Sequence, residues 1–297
     1  MIAESILNRL AERLAHDLAP PRGSLVPLVV DAAAVGYATP SRAGHLATFA
    51  GVFESSGGAL HFAPGLDTSE RRTAALEPVL RALADQGHLT AWRNERYAVR
   101  APHGGDILFD IERAAARYFG IATFAAHLNG VVRTRGEPRM WIARRSPHKA
   151  IDPGRLDNLV GGGVAAGETV EGTLVREAQE EAGIAAGMAA RASRDRSLCI
   201  FREQPDGVQR ETIHPFDLVV PADFTPRNGD GEIAEFRLLA LDDVARCAAE
   251  REGSDAMTAD ASLVVADWLM RHGFVPRDSA AWRALDALRR PPLEPGG

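Results

Sequence analysis

Three carboxylates, Glu177, Glu180 and Glu181, stand at i, i+3 and i+4 in the segment TVEGTLVREAQEEAG. On a helix that spacing gathers them within an arc of roughly 100°. Like charges so placed destabilise an isolated helix by about a few tenths of a kcal/mol per pair. Arg176, one turn before Glu180, relieves part of this repulsion. A hard divalent cation relieves all of it, because Mg²⁺ takes carboxylate oxygens in octahedral geometry and keeps waters and substrate phosphates as its other ligands. Three glutamates alone are more often a solvated acidic face, so the reading turns on what surrounds them. Thr169 is placed to cap the helix at its start and Gly183 to end it, which predicts a helix over about 170–182.

From Gly162 the chain reads glycine, five residues, Glu168, seven residues, then Arg176-Glu177-Ala178-Gln179-Glu180-Glu181-Ala182-Gly183-Ile184. This resembles the signature of the Nudix hydrolase superfamily at each of its nine defined positions over 23 residues, with Ala178 as the small apolar residue. The resemblance implies that Glu177, Glu180 and Glu181 ligate metal, aided by the backbone carbonyl of Gly161. It implies an internal ion pair between Glu168 and Arg176 that ties the loop to the helix. The implied fold is an α/β/α sandwich with a mixed sheet. The implied activity is Mg²⁺-dependent hydrolysis of a phosphoanhydride bond, with Mn²⁺ as a substitute, since such ions neutralise a diphosphate and lower the pKa of the attacking water.

Further candidates flank the signature. Glu232 and Glu235, in GDGEIAEF, could each add a carboxylate; Glu232 is the better placed for a catalytic role, although a glutamate in such a turn is often simply solvated. Lys149, Arg144 and Arg145 precede the motif loop and could meet a phosphate, the arginines bidentately and the lysine as a point charge. Lys149 is the only lysine among 34 basic residues, which reads either as a position that needs a compact ammonium or as chance survival on the surface. It is expected to act on substrate rather than on stability. His127 and Asn129 sit in a strand near that loop, where a packed polar residue competes with a substrate contact.

A finer resemblance covers more of the chain. The strings FGIATFAAHLNGVV, MWIARRSPHK, DPGRLDNLVGGGVAAGE, DGEIAEFRLL and ADWLMRHGF are similar to the Nudix branch fused to thiamine pyrophosphokinase in fungi. That branch implies removal of phosphate from thiamine diphosphate or its oxidised analogues. No kinase domain is read in these 297 residues, so only the hydrolase activity carries over, and Asp260 departs from the amide- or base-rich segment expected there. A hydrolase of nucleoside diphosphate derivatives such as ADP-ribose or NADH has the same site with a different pocket. An isopentenyl-diphosphate isomerase is similar in fold and in the DPGRLDNLVGGG loop, but that family implies a cysteine–glutamate pair with the cysteine upstream of the signature, and here no cysteine precedes Cys199. A binding module without turnover usually shows a broken signature, and this one is intact.

The elements that must position these groups divide near residue 119. Residues 1–118 read as a smaller α+β accessory domain: an amphipathic helix with Ile6, Leu10 and Leu14, a strand at 25–30, a turn-rich stretch SSGGALHFAPG, a helix at about 73–86, a short strand in HLTAWRNERYAV and a helix near 107–118. No catalytic constellation is read there, and its expected role is specificity or assembly. Residues 119–276 read as the hydrolase domain, with paired strands at IATFAAHLNGVVRT and RMWIARRS, a Pro/Gly-rich loop, the motif helix, three more strands and two helices. Residues 277–297 read as an amphipathic piece and a frayed tail.

A net charge of −6 with no basic cluster argues against nucleic acid, and no apolar window is long enough to span a bilayer. Two cysteines without metal-binding spacing suit a reducing cytoplasm. The expected partner is a small-molecule diphosphate, and a homodimer is compatible with the sequence.

Overall fold

The computed structural model describes residues 2–101 and 105–289. Apolar spacing at the N-terminus folds as helix α1 (Glu4–Asp17), with Leu7, Leu10 and Leu14 buried. The chain then forms β1 (Val26–Val30), β2 (Ala33–Ala38), α2 (Pro40–Leu46), β3 (Phe53–Ser56) and β4 (Ala59–Phe62), the strands ordered β2-β1-β4-β3 in one sheet. The stretch expected as turns is thus largely a hairpin. Its connection is Gly57-Gly58, both at positive φ (59° and 78°), the conformation that a two-residue hairpin turn demands. Helix α3 (Ser69–Asp85) covers this region with Leu76, Val79, Leu80 and Leu83.

The segment expected as a helix near 107–118 is instead strand β6 (Ile107–Glu112), paired antiparallel with β5 (Arg96–Arg100) and followed by one 3₁₀ turn at Arg113–Ala115. The β-branched and aromatic run ILFDIE prefers a pleated surface, and pairing buries Leu108, Phe109 and Ile111. Only the alanine-rich part after it keeps a helical turn.

The second sheet is mixed. Its strands are β7 (Ala122–Val132), β8 (Arg139–Arg145), β9 (Leu156–Asn158), β10 (Val160–Gly163), β11 (Ser193–Arg194), β12 (Leu198–Gln204), β13 (Gly207–Val220) and β14 (Ile233–Ala240). The pair β7–β13 is parallel, with Asn129 opposite Asp217, and the others are antiparallel. The loop expected to be irregular before the motif therefore contains β9 and β10, which fasten it to the sheet.

Alternation along β7 sends Ala126, Leu128 and Val132 to one face, where they pack with α4 (Val170–Ala182) and α5 (Ala186–Ala189). Ala125 and Val131 face the other way, into a core shared with α6 (Leu241–Ala249) and α7 (Ala259–Arg271). The result is the expected α/β/α sandwich, preceded by a smaller unit with its own sheet.

Packing does not respect a boundary at residue 118. Helix α1 lies in the outer helical layer of the sandwich with α6, α7 and α8 (Ala280–Leu288), burying its apolar stripe there. The Arg13 guanidinium, 5% exposed, donates to the carbonyls of Ala248 and Met257. The segment from residue 277 is likewise a docked helix for most of its described length, and Arg289 donates to the buried Asp267 at 2.8 Å. The remainder of the expected frayed tail, 290–297, lies outside the described residues.

Backbone contacts join the N-terminal sheets to the sandwich. Ala166 N–H donates to Arg96 O and Val208 N–H to Arg117 O, each at 2.8 Å. Gly120, at φ 58°, lets the chain pass against the Tyr37 carbonyl, where a Cβ would collide. Among the described residues no helix is long and apolar enough to cross a membrane.

Candidate active site

Helix α4 carries both expected end signals. Thr169 Oγ1 accepts the Gly172 N–H at 3.0 Å, and Gly183 ends the helix at φ 65°. Ahead of it, Glu168 accepts from Arg176 at 2.8 and 3.1 Å and from Thr173 Oγ1 at 2.7 Å. Those bonds, Arg176 foremost, hold the Glu168 carboxyl down at about 2. The same guanidinium reaches Glu180 at 2.9 Å and Glu177 at 3.0 Å. Arg176 thus contacts three carboxylates at once, with one positive charge among them.

The expected acidic face is present but graded in burial. Glu181 is 2% exposed and accepts the Gly161 N–H at 2.9 Å. Burial pushes its carboxyl up to about 8, against the pull of that N–H and of Lys149. Burial also raises Glu177, whose carboxyl fills the space that a Cβ on Gly162 would need. A side chain at 162 would push the Glu177 carboxyl out of its present place. Glu180 is the outermost of the three, with its side chain 46% exposed.

Lys149 sits on the edge of this group. Its side chain is 8% exposed, bonds Glu232, and lies 3.7 Å from Glu181. A lysine so enclosed is placed to support stability as well as to meet a ligand, a role that the sequence reading did not assign to it. Burial pushes the Glu232 carboxyl up, but the bonded Lys149 ammonium together with Arg93 and Arg113 outweighs it, and the group sits below its ordinary range. Held that way, Glu232 is a weak base.

Two of the expected substrate contacts are otherwise engaged. Arg145 borders the cleft, but its guanidinium donates to Ile151 O, Asp152 O and Asp157, fastening the loop before the motif. Asn129 is fully buried and bonds Asp217 at 3.0 Å and Asn158 at 3.1 Å. It belongs to the interior between β7 and α7, because it shares the face of Ala125 and Val131. Arg144 and Glu235 pair with each other and with Asp255 and Arg237 at the sheet edge. His127, beside Asn129 in sequence order, does line the cleft, with Nδ1 bonded to Asn158 Oδ1 at 2.8 Å.

Two adjoining cavities, of about 460 and 320 Å³, open between the N-terminal sheets and the sandwich. The larger is walled by His127, Gln209 and Asp260 on one side and Tyr97 and Arg117 on the other. The smaller holds Glu177, Glu180, Glu232 and Lys149 facing Arg93 and Arg113. The N-terminal region, in which no constellation was expected, therefore contributes two arginines to the acidic site. No local pattern announces them: they arrive by tertiary docking, and a basic residue after a tryptophan or at a strand end reads as surface.

Residues 128–261 match the NUDIX domain, and residues 9–123 match a domain of unknown function, DUF4743. Over 292 residues the chain is 35% identical to Nudix hydrolase 20, chloroplastic, of Arabidopsis thaliana, covering 95% of this chain and 75% of that protein. This chain belongs to the Nudix hydrolase family. Nudix hydrolase 24, chloroplastic, of the same plant is 36% identical over 270 residues, covering 90% of this chain and 73% of that protein. A crystal structure of a Deinococcus radiodurans protein aligns at 28% identity with a TM-score of 0.42, covering 57% of this chain and 97% of that one. Both Arabidopsis matches run through the N-terminal region as well as the Nudix domain, so the two-part organisation is shared.

Nudix hydrolases use divalent metal ions, and the donors here suit one. Glu177, Glu180 and Glu181 offer only hard carboxylate oxygens, two of them on side chains whose charge burial opposes. In the present arrangement Arg176 and Lys149 serve as their cations, and among the described residues no three acidic, histidine or cysteine side chains converge as a ready cage. Glu177 and Glu180 share one guanidinium nitrogen, and a bound metal would take its place between them.

Proposed function

We propose that this Nudix hydrolase cleaves a phosphoanhydride bond in a small organic diphosphate, with Mg²⁺, or Mn²⁺ in its place, held by Glu177, Glu180, Glu181 and the Gly161 carbonyl. The observation that carries this reading is the graded acidic face of α4, which turns toward a cavity rimmed by cations. When bound, the metal neutralises the diphosphate, polarises one phosphorus and acidifies the attacking water. Glu181 is fixed for its part by the Gly161 N–H, and the Glu168–Arg176 pair fixes the loop that carries Gly161 and Gly162. Lys149 meets the phosphoryl charge, and Glu232 holds that ammonium in place until substrate arrives.

For the substrate we favour thiamine diphosphate or an oxidised analogue, cleaved between the phosphates to the monophosphate and inorganic phosphate. The chain-long resemblance from HLNGVV to RHGF supports this. The larger cavity supports it too, since about 460 Å³ suits a compact two-ring ligand beside the phosphate site. Asp260, which departs from the thiamine branch, faces that cavity already paired with Arg202 and Gln209 at 2.9 Å each. The test is kcat/KM for oxothiamine and thiamine diphosphates beside ADP-ribose, NADH and isopentenyl diphosphate, with and without Mg²⁺. A preference for ADP-ribose or NADH by about tenfold, ~1.4 kcal/mol in transition-state binding, sinks the thiamine reading and leaves diphosphate hydrolysis standing.

A further inference from the structure

The two oxygens of Glu232 are held by cations from two different domains. Lys149 of the Nudix domain bonds Oε2, and Arg93 Nη1 of the N-terminal domain lies 3.3 Å from Oε1. A third cation, Arg113, borders the same cavity, with Nη1 2.8 Å from Glu95 and its other guanidinium nitrogen beside Gly163. Opposite them stand Glu177 and Glu180. The cavity therefore has an acidic wall suited to metal and a cationic wall built largely by the N-terminal domain.

The backbone under these arginines is fixed independently of their side chains. Arg93 N–H donates to Glu112 Oε1 at 3.0 Å, where Glu112 is 5% exposed, and Arg113 N–H donates to Glu95 O at 2.8 Å. The Arg93 guanidinium itself is about one-third exposed, and an exposed ion pair of that kind contributes little stability. Its position calls for another explanation, and a convergent pair of charged donors on one carboxylate is the geometry that also accepts a phosphoryl group.

We infer that the N-terminal domain completes the active site, Arg93 with Lys149 and Arg113 gripping the phosphoryl group opposite the metal side while Glu232 occupies that anion site in the free protein. This rests on the diphosphate reading above. Substrate phosphate displaces the Glu232 carboxylate and takes over its two cations. The domain of unknown function is then a subsite of the hydrolase, and its ligand is the diphosphate itself.

Calorimetric titration of the full chain with methylenediphosphonate in Mg²⁺, a diphosphate analogue that cannot be hydrolysed, tests this. Arg93→Ala is expected to weaken binding by roughly tenfold or more at unchanged melting temperature, and Arg113→Lys to weaken it less than Arg113→Ala. Arg71→Ala, on an exposed pair with Asp67 in the same domain, serves as the neutral control. Glu232→Gln is expected to tighten binding, because the competing carboxylate charge is gone. If the wild-type chain binds the analogue and hydrolyses diphosphates while Arg93→Ala binds as tightly, the inference fails and the activity stands. If the wild-type chain neither binds nor hydrolyses, both fail.

Discussion

The Tyr97 hydroxyl fills the place that a Cβ on Gly163 would occupy. Tyr97 lies on β5 of the N-terminal domain and Gly163 ends β10 inside the motif, so the two domains interlock at the first turn of the catalytic loop. Gly163 needs no unusual φ, and what it lacks is room. Gly163→Ala must shift either the buried ring or the loop, at a cost of about 1–3 kcal/mol. Turnover should fall with it, since Gly161 and Gly162 move too. Tyr97→Phe removes the colliding oxygen but leaves the ring carbon at 3.3 Å, so it should recover only part of the loss. A double-mutant cycle in urea measures this, and strictly additive costs would show that the contact is unimportant.

Glu181 gives the metal-free protein a defined pH response. The unfolded chain ionises this group near 4.5 and the folded chain near 8. As pH climbs between those values the unfolded state releases a proton that the folded state keeps. Stability therefore falls through that window and levels off above about pH 8. Glu181→Gln cannot ionise and loses this slope. In chelator it should match the wild type near pH 4 and exceed it at pH 8 by on the order of 2–4 kcal/mol. In Mg²⁺ the same variant should lose kcat by about a hundredfold or more, because a charged ligand is gone. Melting curves across pH check the first half; a wild-type–variant difference that stays constant from pH 5 to pH 8 contradicts it.

Lys149→Ala should be both inactive and less stable. Its ammonium is enclosed between Glu232 and Glu181, and removing it leaves Glu181 buried without its nearest cation. We expect a loss of about 1–3 kcal/mol above about pH 8, smaller at neutral and acid pH where Glu181 is protonated. The midpoint of Glu181 should move above its present value of about 8, because Lys149 now lowers it. Lys149→Arg should restore stability better than activity, since a planar fork cannot take the place of a compact ammonium at both carboxylates. Unchanged denaturation with lost activity would mean that the lysine serves substrate alone.

The acidic face was legible because it is local: a cap, a glycine and an i, i+3, i+4 spacing lie within one helix. The strand at β7 follows from an equally short-range pattern, and the Glu168–Arg176 pair is what the resemblance to the Nudix signature implied. What was not legible depends on docking. Arg93 and Glu232 meet across 139 residues, and neither carries a neighbourhood that marks it. Asn129 reads as a polar strand residue near the motif, but which face it takes is set by the register of β7 against β13 and by Arg271 on α7. The segment 107–112 misled because its apolar positions satisfy both periods, and pairing with β5 decided it.

A chain of buried and half-buried polar groups runs from the cleft to the far helical layer, and its direction can be deduced. Arg271 donates to Asp217 at 2.6 and 3.2 Å, so this carboxylate can only accept. Asn129 must then turn its amide Nδ2 toward Asp217, which leaves its Oδ1 to accept from Asn158 Nδ2. Asn158 in turn can offer His127 only its Oδ1, and the imidazole must carry its proton on Nδ1. Each step follows from the one before. The unprotonated Nε2 remains as an acceptor on a residue that lines the larger cavity. Nitrogen-15 NMR at alkaline pH should therefore find His127 in the Nδ1–H tautomer alone. Asp217→Asn removes the obligate acceptor, lets both asparagines reverse, and should yield a tautomer mixture together with a stability loss of about 1–3 kcal/mol, because Arg271 keeps Asp267 at 2.7 Å but loses its other carboxylate. Asn129→Leu should sever the chain at its centre and release His127 from the same constraint. An Nε2–H signal in the wild-type protein would overturn the assignment, because no orientation of the two amides consistent with an ionised Asp217 permits it.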